Sequence, residues 1–65
     1  MNETVVNNIK MIMESKGLTP STMAHLGISA PQMYYLLKHG NPTLKTLEKL
    51  SIALECDIRE FFKEE

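Results

Sequence analysis

Sixty-five residues, 43% of them hydrophobic, with a formal charge of −1, point to one domain spanning residues 1–65; a chain this short buries only about 60% of the surface it exposes when unfolded. The single cysteine, Cys56, excludes an intrachain disulfide and a zinc site of the usual Cys/His spacing, which fits a reducing cytoplasm. The opening MNETVVNNIK has no basic start and no long apolar run, so neither secretion nor membrane insertion is expected.

A first helix is predicted over residues 4–16, because Val5, Ile9, Ile12 and Met13 recur at helical steps and form one apolar stripe. Asn2 or Thr4 is placed to cap it, Met11 falls off the stripe, and Gly17 ends it with Leu18 folding back. The second helix opens with Thr19 as N-cap and Pro20 at the first helical position, where a missing N–H costs nothing. It is expected to turn Met23, Ala24 and Leu26 inward before Gly27 takes the positive φ that stops it.

The third helix starts at Ser29, whose hydroxyl is placed to accept from the Gln32 amide while the Gln32 side chain reaches back, with Ile28 and Met33 at staple positions. At about 100° per residue, Met33, Leu36 and Leu37 share one face, Pro31, Tyr35 and Lys38 point the opposite way, and Gln32 and Tyr34 flank them. A helix held by one face and showing an amide, phenols and an ammonium on the other suits a DNA major groove. The same spacing also suits an ordinary antiparallel helix pair in a small bundle.

His39-Gly40-Asn41-Pro42 then breaks the helix, since Gly and Asn tolerate left-handed φ and Pro disfavours helix before it. Thr43, or Asn41 with Pro42 at the first position, caps a fourth helix striped by Leu44, Leu47, Leu50 and Leu54, with Ile52 and Ala53 alongside. After a break at Glu55-Cys56, Asp57 and Glu60 form the pattern of a second capping box, with Cys56 and Phe61 as its staple. A short fifth helix over 58–63 follows, in which one of Phe61 and Phe62 closes the core and the other packs beneath the first helix or stays exposed. With no β pattern, repeat or linker, the fold class is all-α: a compact five-helix bundle with a helix-turn-helix in its second and third helices.

Charge is unevenly placed. Residues 1–54 hold five lysines against Glu3, Glu14 and Glu48, whereas residues 55–65 hold five acids against Arg59 and Lys63. Phosphate affinity comes largely from Lys and Arg, so a DNA contact would run through the middle of the chain with the acidic end turned away. His25 and His39 have no Cys, Asp or Glu at a ligand spacing, and no paired carboxylates, phosphate-cradling glycine loop or Ser/His/Asp set is present. The expectation is a non-enzyme without metal, cofactor or small-molecule substrate.

Two stretches, LTPSTMAHLGIS and NPTLKTLEKLSIAL with its IREFF ending, resemble the phage Cro and repressor type of helix-turn-helix, the XRE family, over nearly the whole chain. The resemblance implies a lambda-repressor-like fold and a cytoplasmic, phage-like transcriptional regulator, usually a repressor that binds double-stranded DNA as a dimer. It carries base-reading positions onto Ser29, Ala30, Pro31, Gln32, Tyr34 and Tyr35, and phosphate-contacting positions onto Thr19, Lys38, His39, Asn41, Thr43 and Lys45. The chain departs from the family pattern in having Pro20 where a phosphate-binding Gln often stands, and one residue fewer before the glycine. Where the family often pairs an Arg in the first helix with a Glu ending the third, this chain has Met13 and Leu37. Exchange of both partners for packed hydrocarbon preserves stability, whereas loss of one strands a charge, so Met13 and Leu37 are expected to meet.

A homodimer would pair through a small patch such as Phe62 or Met11, or form only on the operator. The rival to DNA binding is a protein-interaction module, an antirepressor or antagonist that keeps the fold but binds another regulator. The negative net charge, Pro20 and the Ala30-Pro31 pair favour the rival; Lys38, Lys45 and Lys49 favour DNA.

Overall fold

Helix C-termini leave unpaired carbonyls that a left-handed residue can satisfy by turning the chain back on itself, and four such residues, Gly17, Gly27, Gly40 and Glu55, set the path of this protein. In the computed structural model, which describes residues 2–64 and Asn2 by its backbone alone, α1 spans Asn2–Ser15, α2 Pro20–Met23, α3 Ala30–His39 and α4 Leu44–Ala53. Two 3-10 segments, Ala24–Leu26 and Ile58–Phe62, complete the order, and no strand occurs among the described residues.

After α1, Gly17 adopts φ +70°, its amide donates to the Glu14 carbonyl (3.1 Å) and that of Leu18 to Met13 (2.8 Å). The same pair of bonds closes the turn at Gly27, where φ is +93° and the Ile28 amide donates to the Met23 carbonyl (3.2 Å). It recurs after α4, with Cys56 donating to Ser51 (3.0 Å) and Glu55 to Ile52 (3.2 Å). There the left-handed residue is Glu55, at φ +52°. A side chain in that conformation costs about 1–2 kcal/mol relative to glycine. Glu55→Gly is therefore expected to raise stability by about 1 kcal/mol, read as a higher urea midpoint with an unchanged slope; an unshifted midpoint would show that the turn carries no strain.

Val5, Ile9 and Met13 of α1, Met23, Ile28, Met33 and Leu36 of the helix pair, Leu47, Leu50 and Leu54 of the α4 region, and Phe61 form one buried cluster. Val6 is buried as well. Ile12, Leu18, Leu37, Cys56 and Ile58 pack partly against the cluster. Met13 is buried and Leu37 half-buried, and with Leu18 and Pro20 both border one shallow depression.

Several expectations are corrected. Ala24 and Leu26 face solvent: the turn at Gly27 folds Ile28 back over Met23, and Ile28 takes the core place assigned to Leu26. The α2 segment lasts four residues before tightening into 3-10 geometry, which advances further per residue and suits a helix one residue short. Leu44, at the first position of α4, is 64% exposed. Ile52 is 79% exposed, because two steps along a helix from Leu50 lie on nearly the opposite face.

The expected fifth helix is a 3-10 segment, so the described residues hold four α-helices where five were expected. Phe61 of that segment is fully buried and Phe62 half-exposed. Asn8 ties the segment to α1: its Nδ2 donates to the carbonyls of Phe61 (2.9 Å) and Lys63 (2.8 Å), a bond no local pattern announces. Among the proposed caps of α1, Thr4 lies inside the helix, and the Asn2 side chain lies outside the described residues. Asp57 caps the 3-10 segment by accepting from the Arg59 amide (2.9 Å). Glu60 pairs with Lys63 (2.8 Å), and among the described residues no return bond from Glu60 completes a box.

The Arg59 guanidinium and amide beside Asp57 lower its pKa from 3.8 to about 2. A carboxyl whose folded pKa is depressed stabilises the fold above its unfolded pKa and loses that contribution as pH falls through the folded one. Stability is thus expected to decline between about pH 4 and about pH 2, less so in Asp57→Asn and less at high salt, since the pair is exposed. Thermal melts across that range check it; identical pH profiles for the two proteins would contradict it.

Candidate nucleic-acid interface

The second helix of the pair is presented by its own start signal and by the helix before it. Thr19 Oγ1 accepts from the Thr22 amide (3.4 Å) while the Thr22 hydroxyl receives the Thr19 amide (2.8 Å), a reciprocal box that the sequence pattern T-x-x-T did not announce. Ser29 Oγ accepts from the Gln32 amide (3.3 Å); no return bond from the Gln32 side chain is present among the described residues, so the expected box is half formed. Pro in the first turn of α3 sacrifices no hydrogen bond. At the other end Gly40 is left-handed, φ +66°, and its amide donates to the Leu36 carbonyl (2.8 Å).

Between these caps α3 buries Met33 and Leu36 and leaves Tyr34 58% and Tyr35 64% exposed. Pro31, Gln32, Lys38 and His39 are exposed and Ala30 half-exposed. The Tyr35 and His39 rings, one turn apart, lie 4.4 Å between centroids at 41°, so each limits the other's rotamers. Of the sequence-predicted positions, Ser29, Ala30, Pro31, Gln32, Tyr34, Tyr35, Lys38 and His39 are gathered on or beside this one helix. Asn41, Thr43 and Lys45 are exposed in the loop and first turn of α4. The Thr43 hydroxyl accepts from the Thr46 amide (3.2 Å). Thr19, also exposed, stands at the start of α2 with its hydroxyl engaged in its cap.

Sequence reasoning missed Lys10. It lines an open groove between α1 and α3 together with Asn7, Lys38 and His39, faced by Glu3. Lys10 is off the apolar stripe of α1, so its exposure was legible; its meeting with the end of α3 is a product of tertiary packing. Lys38 and His39 also oppose the negative end of the α3 dipole, a structural role that does not compete with one toward phosphate. No group of acidic, histidine or cysteine side chains able to hold a metal ion occurs among the described residues, and none of their helices is long and apolar enough to cross a membrane.

Among curated proteins and among solved structures no relative matches the chain. The model of the Cro/C1-type HTH DNA-binding domain matches residues 8–64, a span that takes in the helix pair, α4 and the closing 3-10 segment. With the capped pair and its one-sided second helix, that match makes the chain a member of the Cro/C1-type helix-turn-helix family of DNA-binding domains, and in general terms a DNA-binding regulator.

Proposed function

We propose that the protein is a sequence-specific repressor that lays α3 in the major groove and acts as a homodimer on a two-fold site. The observation that carries this is the sidedness of α3: its apolar residues are gripped by the core while Tyr34, Tyr35, Gln32 and Lys38 stand free on a helix capped at both ends. Gln32 and the tyrosine hydroxyls offer hydrogen bonds to base edges, and Ala30 and Pro31 offer contacts to thymine methyl groups. Ser29, at the helix start, stands near base edges or phosphate. Lys38, His39, Asn41, Thr43 and Lys45 flank that surface as phosphate contacts, with Thr19 at the start of α2 as a further one.

A second reading has support of its own. The exposed face of α3 holds two tyrosines, a proline and one lysine, and the chain's net charge is −1, which is little attraction for a polyanion; a protein surface is the alternative partner. Salt dependence separates the two. Binding to duplex DNA followed by fluorescence anisotropy should weaken steeply from about 50 to 200 mM salt, each neutralised phosphate adding about 0.9 to the logarithmic slope. No duplex binding at low salt, with tight binding to another regulator, would establish the second reading.

A further inference from the structure

Lys38 and His39 lie in the last turn of α3, where a positive charge also answers the helix dipole. Lys10 has no such task. It stands well inside α1, away from both ends of the helix, and it forms no ion pair among the described residues. Glu14 follows it by four residues on the same helix, but a lysine that precedes its glutamate is the weaker of the two orders. The charge of Lys10 therefore does little for the fold.

Two depressions meet at this residue. One is the groove it shares with Lys38 and His39 at the end of α3; the other it shares with Thr19 and Pro20 at the start of α2. The start of α2 is poor in donors, because Pro20 has no N–H and the amide and hydroxyl of Thr19 are both engaged with Thr22. A backbone strand that runs from Lys38 toward Thr19 passes Lys10, the cation in the gap between them. Asn7, one turn earlier on the same side of α1, is exposed and lines the groove with it. Asn8 spends its amide on the carbonyls of Phe61 and Lys63, whereas the Asn7 amide makes no hydrogen bond among the described residues. Glu3, also at this groove, is in the first turn of α1, where its charge opposes the positive end of that helix.

We infer that Lys10, with Asn7 beside it, holds a phosphate of the duplex backbone, which makes α1 a DNA-contacting element. The inference rests on duplex binding through α3 and extends it. A phosphate contact positions the protein and adds affinity without reading sequence, so Lys10 acts on all duplexes alike.

Anisotropy titrations of the full chain with a duplex selected from a random pool, at salt from about 50 to 200 mM, test this. Lys10→Ala should reduce the logarithmic salt slope by about one, so that the wild type's advantage narrows about 3.5-fold across that range. Lys10→Arg should restore the slope. The thermal midpoint should hardly move in either variant, since the side chain is exposed. Asn7→Ala should weaken binding with the slope unchanged, because a neutral donor displaces no counterion; full affinity in that variant would strike the amide from the contact. Lys63→Ala removes the same charge from the acidic end of the chain and should leave the slope as it is. A slope that falls in Lys38→Ala but not in Lys10→Ala would overturn the inference and leave the role of α3 standing. Equal losses in Lys10→Ala and Lys63→Ala would overturn it as well, since overall charge would then account for both. A wild type that binds no duplex even at low salt would overturn the inference together with the reading on which it rests.

Discussion

Phe61→Ala is expected to leave a large fraction of the protein unfolded at room temperature. Phe61 is fully buried in a 3-10 segment that packs on both α1 and α4, and its carbonyl accepts from Asn8 (2.9 Å). Removing a buried phenyl ring costs about 3–5 kcal/mol through lost transfer energy and the cavity left behind. A domain of this size has a total stability of only about 3–10 kcal/mol at the usual 0.05–0.15 kcal/mol per residue. The loss is therefore comparable to the whole. Phe62→Ala, by contrast, removes a half-exposed ring and should cost well under half as much. Circular dichroism melts of the two variants check the contrast; equal shifts would mean that the carboxyl-terminal segment does not close the core.

The second large effect is on binding. Tyr35→Ala removes an outward phenol and with it the ring that restrains His39, so duplex affinity is expected to fall by about 1–3 kcal/mol, or roughly five- to 150-fold, with relaxed sequence preference. Lys38→Ala should act differently, weakening all duplexes alike and reducing the logarithmic salt slope by about one. Neither change should lower the melting temperature appreciably, because both side chains project into solvent. Anisotropy titrations against a duplex selected from a random pool, repeated at several salt concentrations, separate the two behaviours. Unchanged affinity in Tyr35→Ala would remove that residue from the contact surface.

Where a helix begins or ends under local control, its position was legible in sequence. Thr19, Ser29, Thr43 and Asp57 all stand as N-caps, and Gly17, Gly27 and Gly40 all take positive φ, because capping depends on a few neighbouring atoms. The buried face of α3 was legible for the same reason: a helix of ten residues repeats its direction enough times for Met33 and Leu36 to declare it. What escaped depended on packing between elements. Leu26 lost its core place to Ile28 only because the chain turns back at Gly27, and Leu44 is exposed because the core of α4 begins one turn later, at Leu47. The final segment had the composition of a helix but only five residues in which to form one, and a short run accepts the tighter 3-10 winding readily.

At the candidate interface, sequence placed Tyr34, Tyr35 and Lys38 outward, but it had no means to see that α1 brings Lys10 to the groove beside Lys38. Nor did it anticipate the left-handed Glu55 or the depression joining Leu26 to Ile52. These features lie at contacts between distant stretches of chain, where residue periodicity carries no information.

The most direct measurement is amide chemical-shift mapping of the labelled protein as a short duplex is added at low salt. If α3 is the reading element, shifts and broadening concentrate at residues 29–39 and at 41–45, leaving the acidic segment 55–64 undisturbed. Perturbations centred on that acidic segment or on the outer face of α1, or none with any duplex, would contradict DNA recognition by α3.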